Sequence, residues 1–533
     1  MTGATNTLDL ATVRQRALHD GKVVGILVVV WLLATAWARP LMLPDEGRYV
    51  GVAWEMLRSG DWLTPTLNGL PYFHKPPLFY WITAASMSVF GANPWAARAA
   101  PMLGACLAAL ALYAFARRWT SERAARLSVL VLLVQPLFYL GGQFANLDML
   151  VAGCISATIM LLAHAALSAE RGLGYRAARE SAYAMAAAGV LAKGLIGAVL
   201  PALAIIAWLM LRRRWSDMRA LISWRGALLF AILTGPWFVA MQWRYSDFLD
   251  YFFVVQHFKR FAAAGFNNVQ PFWFYPAVLA VLSLPFLPWL RPAARRGYFR
   301  DPGRGPVRLL MLVWMTVVVV FFSLPKSKLL GYVLPAVPPL AYLAADSFLA
   351  LVSRSARVAR LWRASLCIAV LASLGTVAFL AIRPANTSRE LAVILGAQRN
   401  SAEPVFMLNS YYFDVPFHAR LKSPVQVIDD WSSPDVQRRD NWRKELADAG
   451  RFAATAAQSS LLEPASLAAS LCQAPVSWVM GPAHASAGFA FLRETQAVST
   501  VRGTSLWRID RTATEISSLL RCSGIPNDDS PGK

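Results

Sequence analysis

The sequence predicts an α-helical polytopic membrane protein that ends in a soluble domain of the α/β or α+β class. Its 533 residues are 56% hydrophobic and 15% charged, whereas soluble proteins keep roughly a quarter of their residues charged. The apolar residues form runs of about 17–25, the length that crosses about 30 Å of hydrocarbon as a helix. After Ile382 the composition changes to mixed polarity, with short alternating runs that are typical of strands.

Membrane spans are predicted where the apolar runs are long and nearly free of charge. Clear examples are Val23–Ala38, Met149–Ala166, Leu195–Leu211, Gly226–Met241, Val307–Leu324 and Ala364–Ile382. The first run lacks a small-residue cleavage site, so we expect a retained helix and not a signal peptide. In total the pattern predicts about 11 to 13 transmembrane helices, and short or broken segments set this range.

The basic residues indicate on which side of the membrane each loop lies. The formal net charge is +22, and most of the excess falls in short loops between apolar runs. Arginine clusters occur at every second connection, as the positive-inside rule predicts for cytoplasmic loops. We therefore expect an inner membrane protein with its N-terminus inside, an odd number of spans and its C-terminus in the periplasm. Topology and anionic lipid head groups explain the charge, so no nucleic-acid partner is expected.

This topology predicts three parts along the chain. Residues 1–383 form a transmembrane catalytic domain, which includes a long first periplasmic loop at 43–93. Residues 384–515 form a soluble periplasmic domain, and residues 516–533 have the polar composition of a disordered tail.

The five cysteines show no CxxC spacing. Cys472 and Cys522 both fall in the part of the chain predicted to be periplasmic, and an oxidising compartment favours a disulfide between them. Two free thiols are the alternative.

The connections predicted to face outward carry nearly every unusual polar residue near the bilayer. These residues are Asp45, Glu46, Lys75, Asp148, Lys193, Lys326 and Lys328. Ionisable groups at the edge of apolar segments are costly and are usually paired, which makes them candidates for function. Loop charge and polar placement therefore indicate the same face.

The first outward segment begins with the sequence PDEGRY, from Pro44 to Tyr49. Asp45 and Glu46 follow a proline at the end of the first span, where an ordinary helix cap is the alternative to a functional site. Tyr72, His74 and Lys75 lie in the same loop. The intervening YVGVAWEMLRSGDWL is amphipathic and predicts a helix lying at the membrane interface, with its apolar face toward lipid.

Two further ionisable residues interrupt apolar helices. Asp148 follows QFANL at the start of a span, where the helix dipole alone also favours a carboxylate. Lys193 stands within a long apolar run, and snorkelling to the interface is its alternative explanation. We predict that Lys193 lies between two carboxylates, in an Asp45–Lys193–Asp148 network.

Two more outward segments offer cations at head-group depth. YFFVVQHFKRF contains His257, Lys259 and Arg260, and an aromatic belt with snorkelling cations is its alternative. SLPKSKLLGYVLPAVPPLAY contains two lysines and Tyr332. Its prolines predict a broken helix that lines a cavity, although a simple connection between helices is also compatible.

Cations at this depth suit a phosphate, and apolar or aromatic walls suit a long isoprenoid tail. No phosphate-binding P-loop, zinc-protease HExxH or hydrolase G-x-S-x-G motif stands in a suitable place. A lipid-phosphate donor used outside the cytoplasm is therefore the simplest substrate class.

The motifs PDEGRY, YFHKPPLFYW, NLDML and AKG together resemble the membrane-embedded GT-C glycosyltransferases, the superfamily of the protein mannosyltransferases. Most closely they resemble the bacterial lipid A 4-amino-4-deoxy-L-arabinose transferases, and the resemblance extends over the whole chain. It implies transfer of aminoarabinose from undecaprenyl phosphate to a lipid A phosphate on the periplasmic face of the inner membrane. The product would confer resistance to polymyxin and other cationic peptides. We expect a monomer.

The resemblance also implies residue roles. Asp45 would be the catalytic carboxylate, with Asp148 and Lys193 holding it in place. The donor phosphate would be bound by Lys75, Arg260, Arg48 and Tyr72. Further candidates for substrate contact are Glu46, Lys326, Lys328 and Tyr332.

The family pattern has a glutamate before the loop lysine, and this chain has His74. His74 and His257 suggest the hypothesis of a divalent metal such as zinc beside the donor phosphate, although two spectator histidines are the simpler interpretation. No cofactor is otherwise expected.

Three other functions are compatible with parts of the pattern. A protein O-mannosyltransferase using polyprenyl phosphomannose is the alternative within the enzyme class. A lipid transporter or flippase would place its charges at the bilayer midplane on repeated halves, and no convincing repeat is visible. An envelope scaffold would not need ionisable residues in apolar helices.

Overall fold

The computed structural model describes residues 20–259, 268–352 and 355–522, which divide into two compact units. The first, here called the membrane unit, comprises the described residues 20–39, 74–259, 268–352 and 355–384. The second, here called the sheet unit, comprises residues 40–73 and 385–522. The predicted first periplasmic loop, 43–93, is thus divided between the units, because its residues up to Phe73 pack with the C-terminal part of the chain.

Apolar helices build the membrane unit. Residues 20–33 are helical, and the α-helices that follow are Leu78–Phe90, Pro94–Ala97, Ala99–Trp119, Glu122–Val134, Pro136–Gly142, Leu147–Glu170, Arg176–Lys193, Ile196–Leu211, Trp215–Leu221, Trp224–Arg244, Phe274–Leu282, Arg296–Phe299, Gly305–Ser323, Val337–Val352 and Ala356–Ile382. A π-helical segment covers Asp250–Lys259, and 3-10 turns cover Leu287–Ala294 and Leu330–Ala336. Each of the six apolar runs named above overlaps a helix.

Within the described ranges, six helices are long and apolar enough to cross a membrane, or up to eight if each of two bent pairs counts as one span. The bent pairs are Glu122–Val134 with Pro136–Gly142, at 71°, and Phe274–Leu282 with Leu287–Ala294, at 116°. Two shorter apolar helices are Leu78–Phe90 and Ile196–Leu211. The structure therefore confirms a polytopic helical protein and does not confirm an odd number of spans.

Glycines allow the central helices to pack closely. A Cβ atom on Gly104 would collide with the backbone of Met149 and Leu150, and one on Gly153 would collide with Gly104. The helix Leu147–Glu170 is therefore pressed against Ala99–Trp119 through small residues, as is usual where membrane helices approach closely. This packing fixes the start of Leu147–Glu170, where Asp148 lies.

The sheet unit contains a mixed six-stranded sheet, which confirms the predicted soluble fold class. In chain order the strands are β1 Thr66–Leu67, β2 Leu70–Pro71, β3 Val405–Leu408, β4 Gln426–Ile428, β5 Leu461–Leu462, β6 Val476–Pro482, β7 Ala497–Val501 and β8 Thr504–Asp510. The sheet order is β5-β4-β3-β6-β8-β7, parallel from β5 to β6 and antiparallel at β8 and β7. Strands β1 and β2 form a separate antiparallel hairpin.

Short helices surround this sheet. The α-helices are Asp45–Ser59, Arg389–Gln398, Val415–His418, Asp435–Arg438, Trp442–Gly450, Ala454–Ser460, Leu467–Leu471, Ala490–Glu494 and Thr514–Leu520, and 3-10 turns cover Pro464–Ser466 and Ala483–Gly488. The sheet core includes Phe406, Val479 and Trp507, each at most 3% exposed.

The prediction of an interfacial helix in the first outer segment is wrong. The helix Asp45–Ser59 buries its apolar side chains Val50, Val52 and Met56 completely within the sheet unit. Trp54 Nε1 donates to the Leu421 carbonyl at 3.3 Å. Amphipathic periodicity shows that one face is buried, but it does not distinguish lipid from protein as the partner.

The described part of the predicted disordered tail is ordered. Residues Thr514–Leu520 form a helix, and Cys522 forms a disulfide with Cys472 across Cα atoms 5.6 Å apart. The disulfide prediction is therefore confirmed, and the bond ties the helix Thr514–Leu520 to the end of the helix Leu467–Leu471. The remainder of the predicted tail, 523–533, lies outside the described residues.

Candidate functional site

Asp148 and Lys193 form an ion pair within the membrane unit. Asp148 lies in the first turn of Leu147–Glu170, and Asn146 caps this helix by accepting a bond from the Asp148 backbone N–H at 2.7 Å. Lys193 is the last residue of Arg176–Lys193, and its Nζ donates to Asp148 Oδ1. The carboxylate stands at a helix N-terminus and the ammonium at a helix C-terminus, so each charge faces the end of a helix dipole that attracts it. This half of the predicted network is confirmed.

Tyr332 completes this cluster. The Lys193 ammonium lies 4.2 Å from the centroid of the Tyr332 ring, within range of a cation–π interaction. Gly331, which precedes Tyr332, packs closely against Asp148. A Cβ atom at Gly331 would collide with the Asp148 carboxylate. The side chains of Lys193 and Asp148 are 12% and 6% exposed, so the pair is largely withdrawn from solvent.

The lysine-containing turn before Tyr332 uses its two lysines differently. Lys328 is 3% exposed, and its Nζ donates to the carbonyls of Gln270, at 3.0 Å, and Pro325. Burial lowers the pKa of Lys328. Lys326 has an exposed side chain, while its carbonyl accepts a bond from the Gln270 N–H at 3.0 Å. Lys328 therefore holds the turn together, and Lys326 is the lysine presented at the surface of the membrane unit.

The prolines after this turn coincide with a change of helix type. A 3-10 turn at Leu330–Ala336 precedes the helix Val337–Val352, with Pro335 inside the turn and Pro338 and Pro339 in the first helical turn. The 3-10 turn places Gly331 and Tyr332 beside the Asp148–Lys193 pair. Together the turn and the helix form one apolar segment, Leu330–Val352, so the predicted break appears only as a change of helix type, and the predicted cavity stays a prediction.

His74 is 6% exposed and shares a hydrogen bond of 2.8 Å with the Tyr251 hydroxyl. Gln256 Nε2 donates to the same hydroxyl at 2.8 Å. Lys75 is partly buried beside His74. The side chain of His257 and the whole of Arg260 lie outside the described residues, so their predicted roles stay predictions. Among the described residues, no group of three His, Cys, Asp or Glu side chains is arranged to hold a metal ion.

Three buried arginines were missed from the sequence, and one of them, Arg308, pairs with the buried Asp346 at 2.7 Å. Arg39 is 4% exposed and donates to the Gln143 carbonyl at 2.6 Å. Arg98 is fully buried and donates to the carbonyls of Ala36 and Arg39, at 2.6 and 3.0 Å. A signal for Arg98 did exist, because it is an arginine at the outward end of a predicted span, against the positive-inside pattern.

In the sheet unit, one arginine joins two carboxylates. Arg48 Nη2 donates to Asp45 Oδ1, and Arg48 Nη1 donates to Glu445 Oε1. The guanidinium also lies 5.0 Å from the ring centroid of Tyr49 and 5.7 Å from that of Phe413. Arg48 is thus engaged by acidic and aromatic side chains of its own unit. Glu445 was missed, because within the polar helix Trp442–Gly450 it resembles any exposed glutamate.

Glu46 and Tyr72 make bonds within this unit, and their predicted contacts with substrate stay predictions. Glu46 is fully buried, and its Oε2 accepts a bond from the Met42 N–H at 3.0 Å, which secures the chain entering the helix. Tyr72 is 1% exposed, and its N–H donates to the Pro65 carbonyl at 2.8 Å. Asp45 keeps a side chain that is 26% exposed. Of the predicted three-residue network, Asp45 pairs with Arg48 and Lys193 with Asp148, and a link between the two pairs stays a prediction.

Glu55 is a second missed carboxylate of the sheet unit. It is 5% exposed and accepts bonds from the Thr66 hydroxyl at 2.8 Å and from the N–H groups of Asn68 and Gly69 at 2.6 and 2.9 Å. Burial raises the pKa of Glu55, and these bonds oppose the increase. The residue ties the helix Asp45–Ser59 to the β1–β2 hairpin, so its function is structural.

The two clusters share one chemical feature, a carboxylate whose position is set by a neighbouring cation. Such carboxylates orient a polar acceptor or balance the charge of a cationic group. The charged residues of both clusters were named from the sequence, apart from Glu445.

Comparisons with known proteins agree with the motif resemblance. Residues 74–239 match the family model described as dolichyl-phosphate-mannose-protein mannosyltransferase. A protein of Aeromonas salmonicida named undecaprenyl phosphate-alpha-4-amino-4-deoxy-L-arabinose arabinosyl transferase is 34% identical over 316 residues, which are 58% of this chain and 56% of the relative. A Sodalis glossinidius protein with the same name, numbered 1, is 36% identical over 331 residues, 60% of this chain and 57% of the relative. The chain therefore aligns with little more than half the length of these relatives.

Solved structures extend the likeness to the whole fold. ArnT from Cupriavidus metallidurans bound to undecaprenyl phosphate superimposes with a TM-score of 0.76 at 21% identity, covering 91% of this chain and 96% of ArnT. An oligosaccharyltransferase from Archaeoglobus fulgidus in the apo form gives a TM-score of 0.52 at 14% identity, covering 89% of this chain and 70% of that one. The predicted GT-C fold with a C-terminal sheet domain is confirmed.

Proposed function

We propose that this chain is a membrane glycosyltransferase that moves 4-amino-4-deoxy-L-arabinose from undecaprenyl phosphate to a phosphate of lipid A. The observation that carries the proposal is the Asp148–Lys193 pair. Its members come from the NLDML and AKG motifs, 45 positions apart, and they meet in a helical unit built mainly from apolar residues. The names of the curated relatives and the ArnT fold support the same activity.

In the proposed chemistry, each charged side chain has one role. The acceptor phosphate is already ionised, so Asp45 has no need to act as a strong base and instead orients the acceptor or the sugar. Lys75 and Arg260 neutralise the donor phosphate, which makes undecaprenyl phosphate a good leaving group. Lys326, with its exposed side chain, is the remaining cation proposed to contact substrate. Arg48 holds Asp45 in place through Nη2.

The proposed location is the periplasmic face of the bacterial inner membrane. The alternation of arginine-rich loops supports this orientation, and the Cys472–Cys522 disulfide supports an oxidising compartment for the sheet unit. The modification replaces exposed negative charge on lipid A with an amine. Cationic peptides such as polymyxin would then be attracted less strongly.

The experiment is mass spectrometry of lipid A from a polymyxin-sensitive strain with and without this gene. In the strain that carries the gene, we expect the mass of one added aminoarabinose per modified phosphate. This strain should also need a higher polymyxin concentration for growth inhibition. Asp45→Asn should abolish the addition at unchanged protein level. Asp430→Asn changes an exposed aspartate of the same unit and should leave the addition intact. Full modification by the Asp45 variant would overturn its catalytic assignment.

The match of residues 74–239 to the mannosyltransferase family model favours one second candidate, a protein O-mannosyltransferase. The same strain, with and without this gene, distinguishes this candidate from the aminoarabinose transferase. Mannose on periplasmic proteins, together with unmodified lipid A, would replace the proposed acceptor and sugar.

A further inference from the structure

Arg48 connects the proposed catalytic carboxylate to a glutamate almost 400 residues away. Its Nη2 bonds Asp45 and its Nη1 bonds Glu445, at a sequence separation of 397 from Arg48. Glu445 lies in the helix Trp442–Gly450 and is 7% exposed. The first outward segment and the C-terminal part of the sheet unit therefore meet at a shared guanidinium.

The surroundings of Arg48 fix its orientation. Tyr49 and Phe413 offer their rings to the guanidinium, at 5.0 and 5.7 Å from its central carbon. A planar guanidinium between aromatic rings keeps its donors in one plane, so each donor points at one carboxylate. The backbone is equally constrained, because a Cβ atom on Gly47 would lie 2.8 Å from the Asp414 nitrogen. The first turn of the helix Asp45–Ser59 thus packs directly against the C-terminal part of the unit.

Glu445 changes how Arg48 engages Asp45. An arginine facing a single carboxylate tends to bind it through two parallel bonds, which ties up both oxygens. Here one nitrogen is occupied by Glu445, so Arg48 reaches Asp45 through Nη2. Asp45 and Glu445 are thus each bound by one terminal nitrogen of the same guanidinium, which fixes the position of Asp45 relative to Glu445.

We propose that Glu445 is a positioning residue for sugar transfer, which acts through Arg48 to hold the Asp45 carboxylate in its working orientation. The inference rests on the proposed function. It assigns the C-terminal part of the chain an indirect role in the reaction, because this part supplies the group that sets the geometry of Asp45. Glu445 itself touches no substrate in this proposal.

The test is Glu445→Gln in the full-length protein, assayed with undecaprenyl-phosphate aminoarabinose and lipid A. The side chain keeps its size and loses its charge, so Arg48 turns wholly to Asp45. We expect kcat to fall about 10-fold or more while KM for both substrates stays within about 3-fold, the pattern of an interaction needed in the transition state. Glu445→Asp keeps the charge and should recover part of kcat.

The matched control is Asp448→Asn. Asp448 lies one turn further along the same helix, is 2% exposed and pairs with Lys444 and Arg451, at 3.7 and 3.8 Å. Its loss should disturb the helix similarly and leave kcat within about 2-fold of wild type. Equal loss of kcat in both variants would mean that only the helix matters, and would overturn the proposal.

A double-mutant cycle tests whether the effect passes through Arg48. Adding Glu445→Gln to Arg48→Gln should reduce kcat little further, because the connection is already broken. Multiplicative losses would overturn the proposal. If the Gln variant is not recovered folded, Glu445→Asp decides, since full kcat in that folded variant contradicts a geometric role. If the wild-type protein shows no transfer activity, the proposed function itself is overturned. If the wild-type protein is active and the Glu445→Gln variant is equally active, only the positioning role is overturned.

Discussion

Lys193 donates to the Asp148 carboxylate from the end of one apolar helix to the beginning of another. Both side chains are largely buried, at 12% and 6% exposure. A charge in this environment is stable only while its partner is present, because its hydration has been given up. The pair is therefore both a structural connection in the membrane unit and the centre of the proposed site.

Removing one member of the pair should destabilise the protein more than removing both members. Lys193→Met leaves Asp148 buried without its cation and should lower the free energy of unfolding by about 3–5 kcal/mol. The double variant Lys193→Met/Asp148→Asn should regain most of this loss and still transfer no sugar. Thermal unfolding in detergent, followed with lipid A mass spectrometry, separates the two effects. A double variant less stable than Lys193→Met would contradict a paired-charge interpretation.

Asp414 should make the sheet unit less stable as the pH rises. Its side chain is fully buried, with Oδ2 bonded to the Thr387 hydroxyl and the Ser388 N–H, each at 2.8 Å, and burial raises its pKa from 3.8 to about 6. The folded chain therefore holds this proton more tightly than the unfolded chain. The resulting stability is fully present below about pH 4 and is lost as the pH rises through 6, a change of about 3 kcal/mol.

Asp414→Asn removes this titration. Thermal unfolding temperatures of wild type and variant, measured from pH 4 to pH 8, should diverge in the variant's favour as the pH rises. Comparing the two proteins at each pH cancels the titration of all other groups. A constant difference across this range would show that Asp414 has the same pKa in the folded and unfolded chains.

The Cys472–Cys522 disulfide closes a loop with a sequence separation of 50 residues. In the chain-entropy account, a loop of this length stabilises the fold by about 4 kcal/mol. Replacing both cysteines by serine should lower the unfolding temperature of the sheet unit, and a reducing agent should do the same to wild type but not to the variant. The variant is its own control, because it has nothing left to reduce at this position.

Thiol labelling tests the same bond in the cell. Cys106, Cys154 and Cys367 are the free thiols, so denatured protein taken from membranes should react at three positions before reduction and at five after it. Five reactive thiols before reduction would place the sheet unit in a reducing compartment, against the proposed periplasmic orientation.

The membrane-unit cluster was predictable because its chemistry is conspicuous in the sequence. Asp148 and Lys193 interrupt apolar helices, where an ionisable residue needs a partner, and few candidate partners exist. The opposite holds for Glu445. It stands among Arg443, Lys444 and Asp448 in a polar helix, and only the fold brings it to Arg48.

The first outward segment shows a different limit of sequence reasoning. The periodicity of Asp45–Ser59 correctly predicts a helix with one apolar face, but the partner of that face is a residue set from the far end of the chain. Contacts at such sequence separations leave no local pattern, so lipid and protein were equally compatible with the periodicity. Gly47 gave no signal either, because its need for a missing side chain comes from the backbone at Asp414.

Gly331 should be as important to the membrane-unit cluster as the charges themselves. A Cβ atom at this position would collide with the Asp148 carboxylate, which cannot yield without leaving Lys193. We therefore expect Gly331→Ala to reduce lipid A modification at least about 100-fold, because a misplaced charged group weakens catalysis out of proportion to the size of the change. Gly375→Ala is the matched control, since a Cβ atom there meets nothing within 4 Å, and alanine in that helix should be neutral or slightly stabilising. Lipid A mass spectrometry at equal protein levels measures both. Normal lipid A modification by the Gly331→Ala variant would show that transfer does not depend on this position of the Asp148 carboxylate relative to Lys193.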